Sequence, residues 1–239
     1  HEDNAMDVLT WDWRPVGIET PEAAGAATGG CPWSKADTSA AGAPTLAATG
    51  GFMVGTLAAN DEVENLCLYM GDSLAWDIDD LLTAEFWIKT GVALTTAEQL
   101  AFGMASARND AIDSLTAHAT FLLVASTAVL CETDDGTNDN DDKATGQILS
   151  TTVKRFCIDF ASGLKSVSPP SPSLGGKGQV LFSMDDARGN LMPVCRSLAF
   201  DMSNYAAGLQ PYVQLQKTGG ATTPAFSLAR VRIRSKFPY

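Results

Sequence analysis

Glu85-Phe86-Trp87-Ile88-Lys89, Phe102-Gly103-Met104-Ala105-Ser106, Cys131-Glu132-Thr133-Asp134-Asp135-Gly136, Lys154-Arg155-Phe156-Cys157-Ile158-Asp159-Phe160 and Val180-Leu181-Phe182-Ser183-Met184-Asp185 are the segments whose reading decides the fold. Side chains on a strand alternate between two faces. In Lys154–Phe160 that puts Lys154, Phe156, Ile158 and Phe160 on one face and Arg155, Cys157 and Asp159 on the other. In 210–217, Val213 and Leu215 oppose Tyr212, Gln214 and Gln216. Such strands have one buried and one wet face.

Working outward, similar strands are expected near 63–70, 84–90, 100–106, 117–125, 127–132, 147–150, 153–160, 178–184, 194–201, 210–217 and 227–235. Turn signals separate them: Asp134-Asp135-Gly136, Gly175-Gly176-Lys177-Gly178, Arg188-Gly189-Asn190 and Gly219-Gly220. Short strands at this spacing point to an all-β fold, a β-sandwich or jelly roll. One short helix is expected at Thr95–Leu100, because Thr95 with Glu98 forms a capping-box signature. The proline-bearing loop Ser166–Gly178 reads as a surface excursion.

Toward the N-terminus the texture changes. Between Pro21 and Ala59, 24 of 39 residues are Ala, Gly or Thr. Side chains this small cannot build a core of their own. Residues 1–59 therefore read as an extended N-terminal arm, with a possible first strand that puts Leu9, Trp11 and Trp13 on one face, and residues 60–239 as the β-sandwich domain.

The chain has 239 residues, 45% of them hydrophobic, and a net charge of −12. A surface so acidic repels nucleic acid and anionic lipid, and no stretch reaches the ~18–20 apolar residues that cross a bilayer. The basic exception is Arg230, Arg232, Arg234 and Lys236, which alternate with Val231, Ile233 and Ser235 and share one strand face. Such a stripe either blocks edge-to-edge pairing or docks an acidic partner. The five cysteines are widely spaced, and with only His1 and His118 available they form no zinc pattern. They read as reduced core thiols.

Two constellations could carry chemistry. Gly71-Asp72-Ser73-Leu74 matches the signature of the GDSL esterases and lipases, whose Ser is activated by a His three residues after an Asp. No His follows His118, so the base is missing, and an enzyme is not expected. The run Glu132–Lys143 is dense in acids, and Asp134, Asp135, Asp139 and Asp141 could supply oxygens to Ca²⁺. The EF-hand register fails there. A solvated acidic turn is the plainer reading, and His118 reads as a packed or surface histidine.

Taken together, Phe86-Trp87-Ile88-Lys89, Phe102–Ser106 with Arg108-Asn109-Asp110, Cys131–Gly136, Phe156–Phe160 and Phe200-Asp201-Met202-Ser203 make the chain resemble structural proteins of tailed-phage and related viral particles. Those proteins carry a jelly-roll or concanavalin-like sandwich. The resemblance implies a non-enzymatic virion protein that decorates or cements the outer capsid surface, made in the host cytoplasm. It implies a dimer or trimer bound to the major capsid protein or other virion subunits, with neither nucleic acid nor membrane as partner. It transfers no site residues and no obligatory cofactor. The competing expectation is a Ca²⁺-assisted carbohydrate-binding sandwich module with an adhesin or receptor-binding role.

Overall fold

The computed structural model describes residues 8–16, 21, 31–95, 97–160, 178–186, 188–195 and 200–236. The described residues form two antiparallel sheets. The first runs β14 (Leu191–Val194), β13 (Leu181–Asp185), β12 (Lys154–Asp159), β7 (Leu81–Thr90), β16 (Ala225–Lys236), β4 (Phe52–Thr56) and β3 (Thr45–Thr49). β1 (Val8–Trp13) pairs with Val231–Lys236, and β4 pairs with Ala225–Leu228, so these two short strands share one edge of β16 end to end. The second sheet runs β11 (Asp139–Ile148), β10 (Ala128–Asp134), β9 (His118–Val124), β8 (Glu98–Ala105), β15 (Gly208–Lys217), β5 (Glu64–Tyr69) and β2 (Ser34–Thr38). β6 (Trp76–Asp77) pairs with the start of β15. A 3-10 turn at Ile112–Ser114 interrupts the β8–β9 connection. Among the described residues no helix is long and apolar enough to cross a membrane.

Alternation builds the core. Phe102 of β8 and Phe121 of β9 point inward from sheet two and meet Phe156 of β12 from sheet one, at 4.8 and 4.9 Å between ring centroids. Phe182 of β13 packs edge-on against Phe121 at 5.1 Å and against Phe200 at 4.8 Å. Edge-to-face pairs add roughly 0.5–1.5 kcal/mol each beyond the area they bury. At the other end Trp11, Trp13, Trp33 and Trp76 form a second ring cluster, with Trp13 and Trp33 at 5.2 Å. Trp11 and Trp13 join it as the alternation predicts, while Leu9 is exposed.

Three expectations change. The small-residue stretch supplies β2 to sheet two and β3 and β4 to sheet one, so residues on both sides of residue 60 share the same sheets. Small side chains suit this place because the neighbouring strands bring the bulk: a Cβ on Gly55 would fall 2.4 Å from the Phe226 ring. The residues preceding Cys31, apart from 8–16 and Pro21, lie outside the described set. The helix at Thr95–Leu100 does not form. Thr95 N–H donates to Glu98 Oε2 at 2.6 Å and Glu98 N–H to Thr95 O at 3.0 Å, but this reciprocal pair closes a turn and β8 begins at Glu98. The acidic run is not a simple turn either. β10 extends to Asp134 and β11 starts at Asp139, so most of the acids stand on a hairpin. The expected loop Ser166–Gly178 lies almost wholly outside the described residues.

Candidate functional site: an acidic cleft on the outer face of sheet two

Sheet two's outer face has a sealed part and an open part. Over β15 and β5 the 106–117 connection folds down onto the sheet. Tyr212 Oη donates to Asn109 O at 3.0 Å, Gln214 Nε2 to Asp110 O at 2.8 Å, and Gln210 Nε2 to Ser106 O at 3.0 Å. Leu115 packs with Cys67, Tyr69 and Tyr212, and Ile112 with Ala101 and Leu122. At the end of β15, on the inward side that Val213 and Leu215 also face, Lys217 is fully buried. Its ammonium donates to the carbonyls of Ala58 (2.5 Å), Asn60 (2.6 Å), Gly220 (3.1 Å) and Thr222 (3.4 Å) and lies 3.6 Å from Glu64 Oε2. Burial pushes the Glu64 carboxyl up, against the opposing pull of the Ala58 N–H and the Lys217 charge.

Beyond Ile112 the face opens into a cleft of about 260 Å³. β9 contributes His118, Leu122 and Val124, β10 contributes Glu132 and Asp134, and β11 contributes Asp139, Asp141 and Asp142. Gln99 of β8 and Asp113 complete the lining. The carboxylates gather here because of a bulge. The register moves from Cys131↔Lys143 to Thr133↔Asn140, so Asp141 and Asp142 together oppose Glu132. Asp142 sits at φ +51°, the left-handed geometry that Asp tolerates better than most residues. Bulges re-aim side chains in this way.

Like charges in the cleft act on one another. Asp139 holds its proton above the usual carboxylate range, first through a hydrogen bond with Asp141, then through burial and the charges of Asp141 and Asp134. His118 is 4% exposed. Its Nε2 is 3.1 Å from Glu132 Oε1, in ion-pair range but without the alignment of a hydrogen bond, and its Nδ1 has no hydrogen-bond partner. Thr120 Oγ1 donates to the same Glu132 oxygen at 3.2 Å.

Of the four acids expected to hold Ca²⁺, the structure brings Asp134, Asp139 and Asp141 to the cleft. Asp135 is turned away and committed elsewhere. It accepts from the N–H groups of Thr137 (2.9 Å), Asn138 (2.6 Å) and Asn204 (3.0 Å) and so ties the hairpin to the 201–205 loop. Burial raises its pKa, but those hydrogen bonds outweigh burial and hold the carboxyl below its ordinary value. Among the described residues no three His, Cys, Asp or Glu side chains are placed to hold a metal ion together. The carboxylates line the cleft as a wall of hydrogen-bond acceptors. Sequence reasoning grouped Glu132 and Asp142 with the other acids of the run but did not join Gln99, Asp113 and His118 to them in one site. The available signal was alternation, which puts Glu132 with Asp134 and His118 with Thr120 on the outward faces of β10 and β9.

The basic strand is placed as predicted, with its cations outward on sheet one, but it is largely engaged within its own chain. Arg230 Nε donates to Asp12 Oδ1 at 2.8 Å, Arg232 pairs with Glu85, and Lys236 Nζ donates to Asp79 O at 2.7 Å. Arg155 reaches Glu85 from the other side. The guanidiniums of Arg230, Arg155 and Arg232 lie 4.6, 5.4 and 5.6 Å from the centre of the Trp87 ring. Arg234 is exposed. The Gly71–Leu74 run is a turn. Asp72, at φ +59°, accepts from Arg108 N at 2.8 Å and Gln210 Nε2 at 2.7 Å, so its carboxylate is a structural staple.

No family model and no curated protein matches the chain. Solved structures do. Peanut lectin aligns with a TM-score of 0.57 at 7% identity, covering 98% of this chain and 99% of the lectin. The potassium-bound carbohydrate recognition domain of Emp46p aligns at 0.52 and 14% identity, covering 84% and 88%. SCLam, a non-specific endo-β-1,3(4)-glucanase of family GH16, aligns at 0.52 and 12% identity, covering 81% and 75%. At these identities the likeness is one of fold. The chain is a concanavalin-like jelly-roll β-sandwich.

Proposed function

We propose that this protein is a carbohydrate-binding module whose ligand seats in the acidic cleft of sheet two. The observation that carries the reading is the cleft itself: convergent carboxylates on rigid strands, beside the apolar side chains of Leu122 and Val124. Ligand sites combine an apolar floor with a few fixed polar groups. A sugar ring offers C–H faces to the one and hydroxyl donors to the other. The carboxylate excess selects among sugars. It attracts amine-bearing rings, leaves neutral rings to the hydrogen bonds alone, and repels sialic and uronic acids, because clustered charge of one sign raises the local concentration of the opposite sign. The lectin-type neighbours support this reading at the level of fold. The residues at hand support binding by direct hydrogen bonds rather than through Ca²⁺. The expected capsid-decorating role finds no comparable support, since its docking stripe is mostly paired within the chain.

A glycan array with and without chelator tests the proposal. Binding of neutral or amino sugars, retained with chelator and weakened at least tenfold in Glu132→Gln and Asp141→Asn, is the expected result. No binding to any glycan, or binding untouched by both substitutions, overturns it.

A further inference from the structure

The two sheets also approach each other at their far edges. There β11 closes sheet two and β14 closes sheet one. Cys195 follows β14 directly and reaches across this gap. Its Sγ lies 3.3 Å from Ala144 O and 3.6 Å from Lys143 O. Those two residues are the cross-strand partners of Leu130 and Cys131 on β10. The Cys195 side chain therefore ends beside Cys131, which is buried on the inner face of the same hairpin. Cys195 holds φ +55°, a left-handed geometry that a non-glycine residue adopts at a cost unless the surroundings hold it there. It also lines an open pocket of about 480 Å³ with Thr145, Gln147, Met192 and Val194, so a small oxidant can reach it.

We propose that Cys131 and Cys195 form a redox pair whose disulfide ties the edge of sheet one to β10 of sheet two. The oxidant is a low-molecular-weight disulfide such as oxidised glutathione. The Cys195 thiolate attacks one sulfur of that disulfide, forms a mixed disulfide, and releases one small thiolate, which takes up a proton. Cys131 then loses its proton and attacks Cys195 Sγ. The protein disulfide forms, the mixed disulfide breaks, and the second small thiol leaves. Two protein thiols are oxidised and one small disulfide is reduced to two thiols. The order of attack follows from the two environments. A hydrogen bond with Cys131 holds Cys195 down at about 7, against the effect of burial, while burial and then that shared hydrogen bond push Cys131 far up. Cys195 is thus the thiol that is ionised near neutral pH, and the thiolate is the nucleophile.

Incubation of the full chain with oxidised glutathione at neutral pH, read by intact mass and peptide mapping, tests the pair. The expected product has lost two hydrogen atoms and yields a linked peptide pair containing Cys131 and Cys195, with Cys31, Cys67 and Cys157 still reduced. Its thermal midpoint rises by on the order of 5 °C and returns on reduction, because the cross-link closes a long loop. Cys195→Ser gives neither adduct nor cross-link. Cys131→Ala, if folded, stops at a single glutathione adduct on Cys195. A stable adduct on Cys195 in the wild-type chain with no transfer to Cys131, no reaction at all, or a cross-link that uses another cysteine overturns the proposal. The reading of Cys195→Ser does not depend on the core variant folding.

Discussion

The outer faces of the two sheets both carry charged side chains and treat them in opposite ways. On sheet one the acids beside β16 have cations: Asp12 holds Arg230, and Glu85 holds both Arg155 and Arg232 around Trp87. On sheet two, past the sealed part, Glu132, Asp134, Asp139, Asp141 and Asp142 face one another across a cleft whose nearby base, His118, meets only Glu132. Paired charge is architecture. Gathered like charge is a local cost that the rest of the fold sustains, and places that break the rules of folding are where function is to be sought.

The largest test asks what a sealed charge contributes. Lys217→Met removes an ammonium held by four carbonyls and leaves Glu64 buried without its partner. A loss of about 3–5 kcal/mol is expected, since breaking a buried pair strands the remaining charge. Denaturant titration measures it, and a loss below that of any cleft substitution would break the contrast. Glu85→Ala comes next. It frees two guanidiniums, each with a side chain about 30% exposed, so water screens part of the effect and the loss is about 2 kcal/mol.

Asp135→Ala should cost about 1–2 kcal/mol, because several backbone N–H groups lose their acceptor. This contribution depends on pH with a definite sign. The folded carboxyl titrates below its ordinary value of 3.8, so its stabilisation is fully present above that value and is lost as the pH falls below it and through the lower folded value. Thermal melts of wild type and variant at decreasing pH should therefore converge in acid. The smallest effect is expected in the cleft. Asp139→Asn relieves repulsion from Asp141 and Asp134 and stabilises the fold by at most a few tenths of a kcal/mol, because the side chain is exposed and screened. Here the sign is reversed. A carboxyl with a raised pKa destabilises the fold once the pH rises above it, so the gain appears at neutral pH and vanishes in acid. A stability loss in Asp139→Asn at neutral pH would show that the cleft acids are paired architecture after all.

Much of this was legible in the chain. Alternating Phe156, Ile158 and Phe160 announced a half-buried strand, and the same face meets Phe102 and Phe121. Val231, Ile233 and Ser235 pointed inward and put their cations outward as read. β2, β3 and β4 were not legible, because Ala, Gly and Thr give too little contrast between faces. The Thr95–Glu98 pair makes the hydrogen bonds of a helix start, and that local signal does not say whether the next strand will take the chain instead. The acids were visible as a run, but the bulge that turns Asp141 and Asp142 toward Glu132 belongs to the pairing of β10 with β11.

By itself, then, the sequence determined the all-β class, the inward phenylalanines and the acidic character of one hairpin, because these follow from period-two patterning and composition within single strands. Tertiary structure alone decided which strands neighbour which, that the arginines of β16 find Asp12 and Glu85, that His118 joins the acids, and that Cys195 comes to Cys131. Each of those is a contact between residues far apart in the chain, set by strand order and register, which no local pattern encodes.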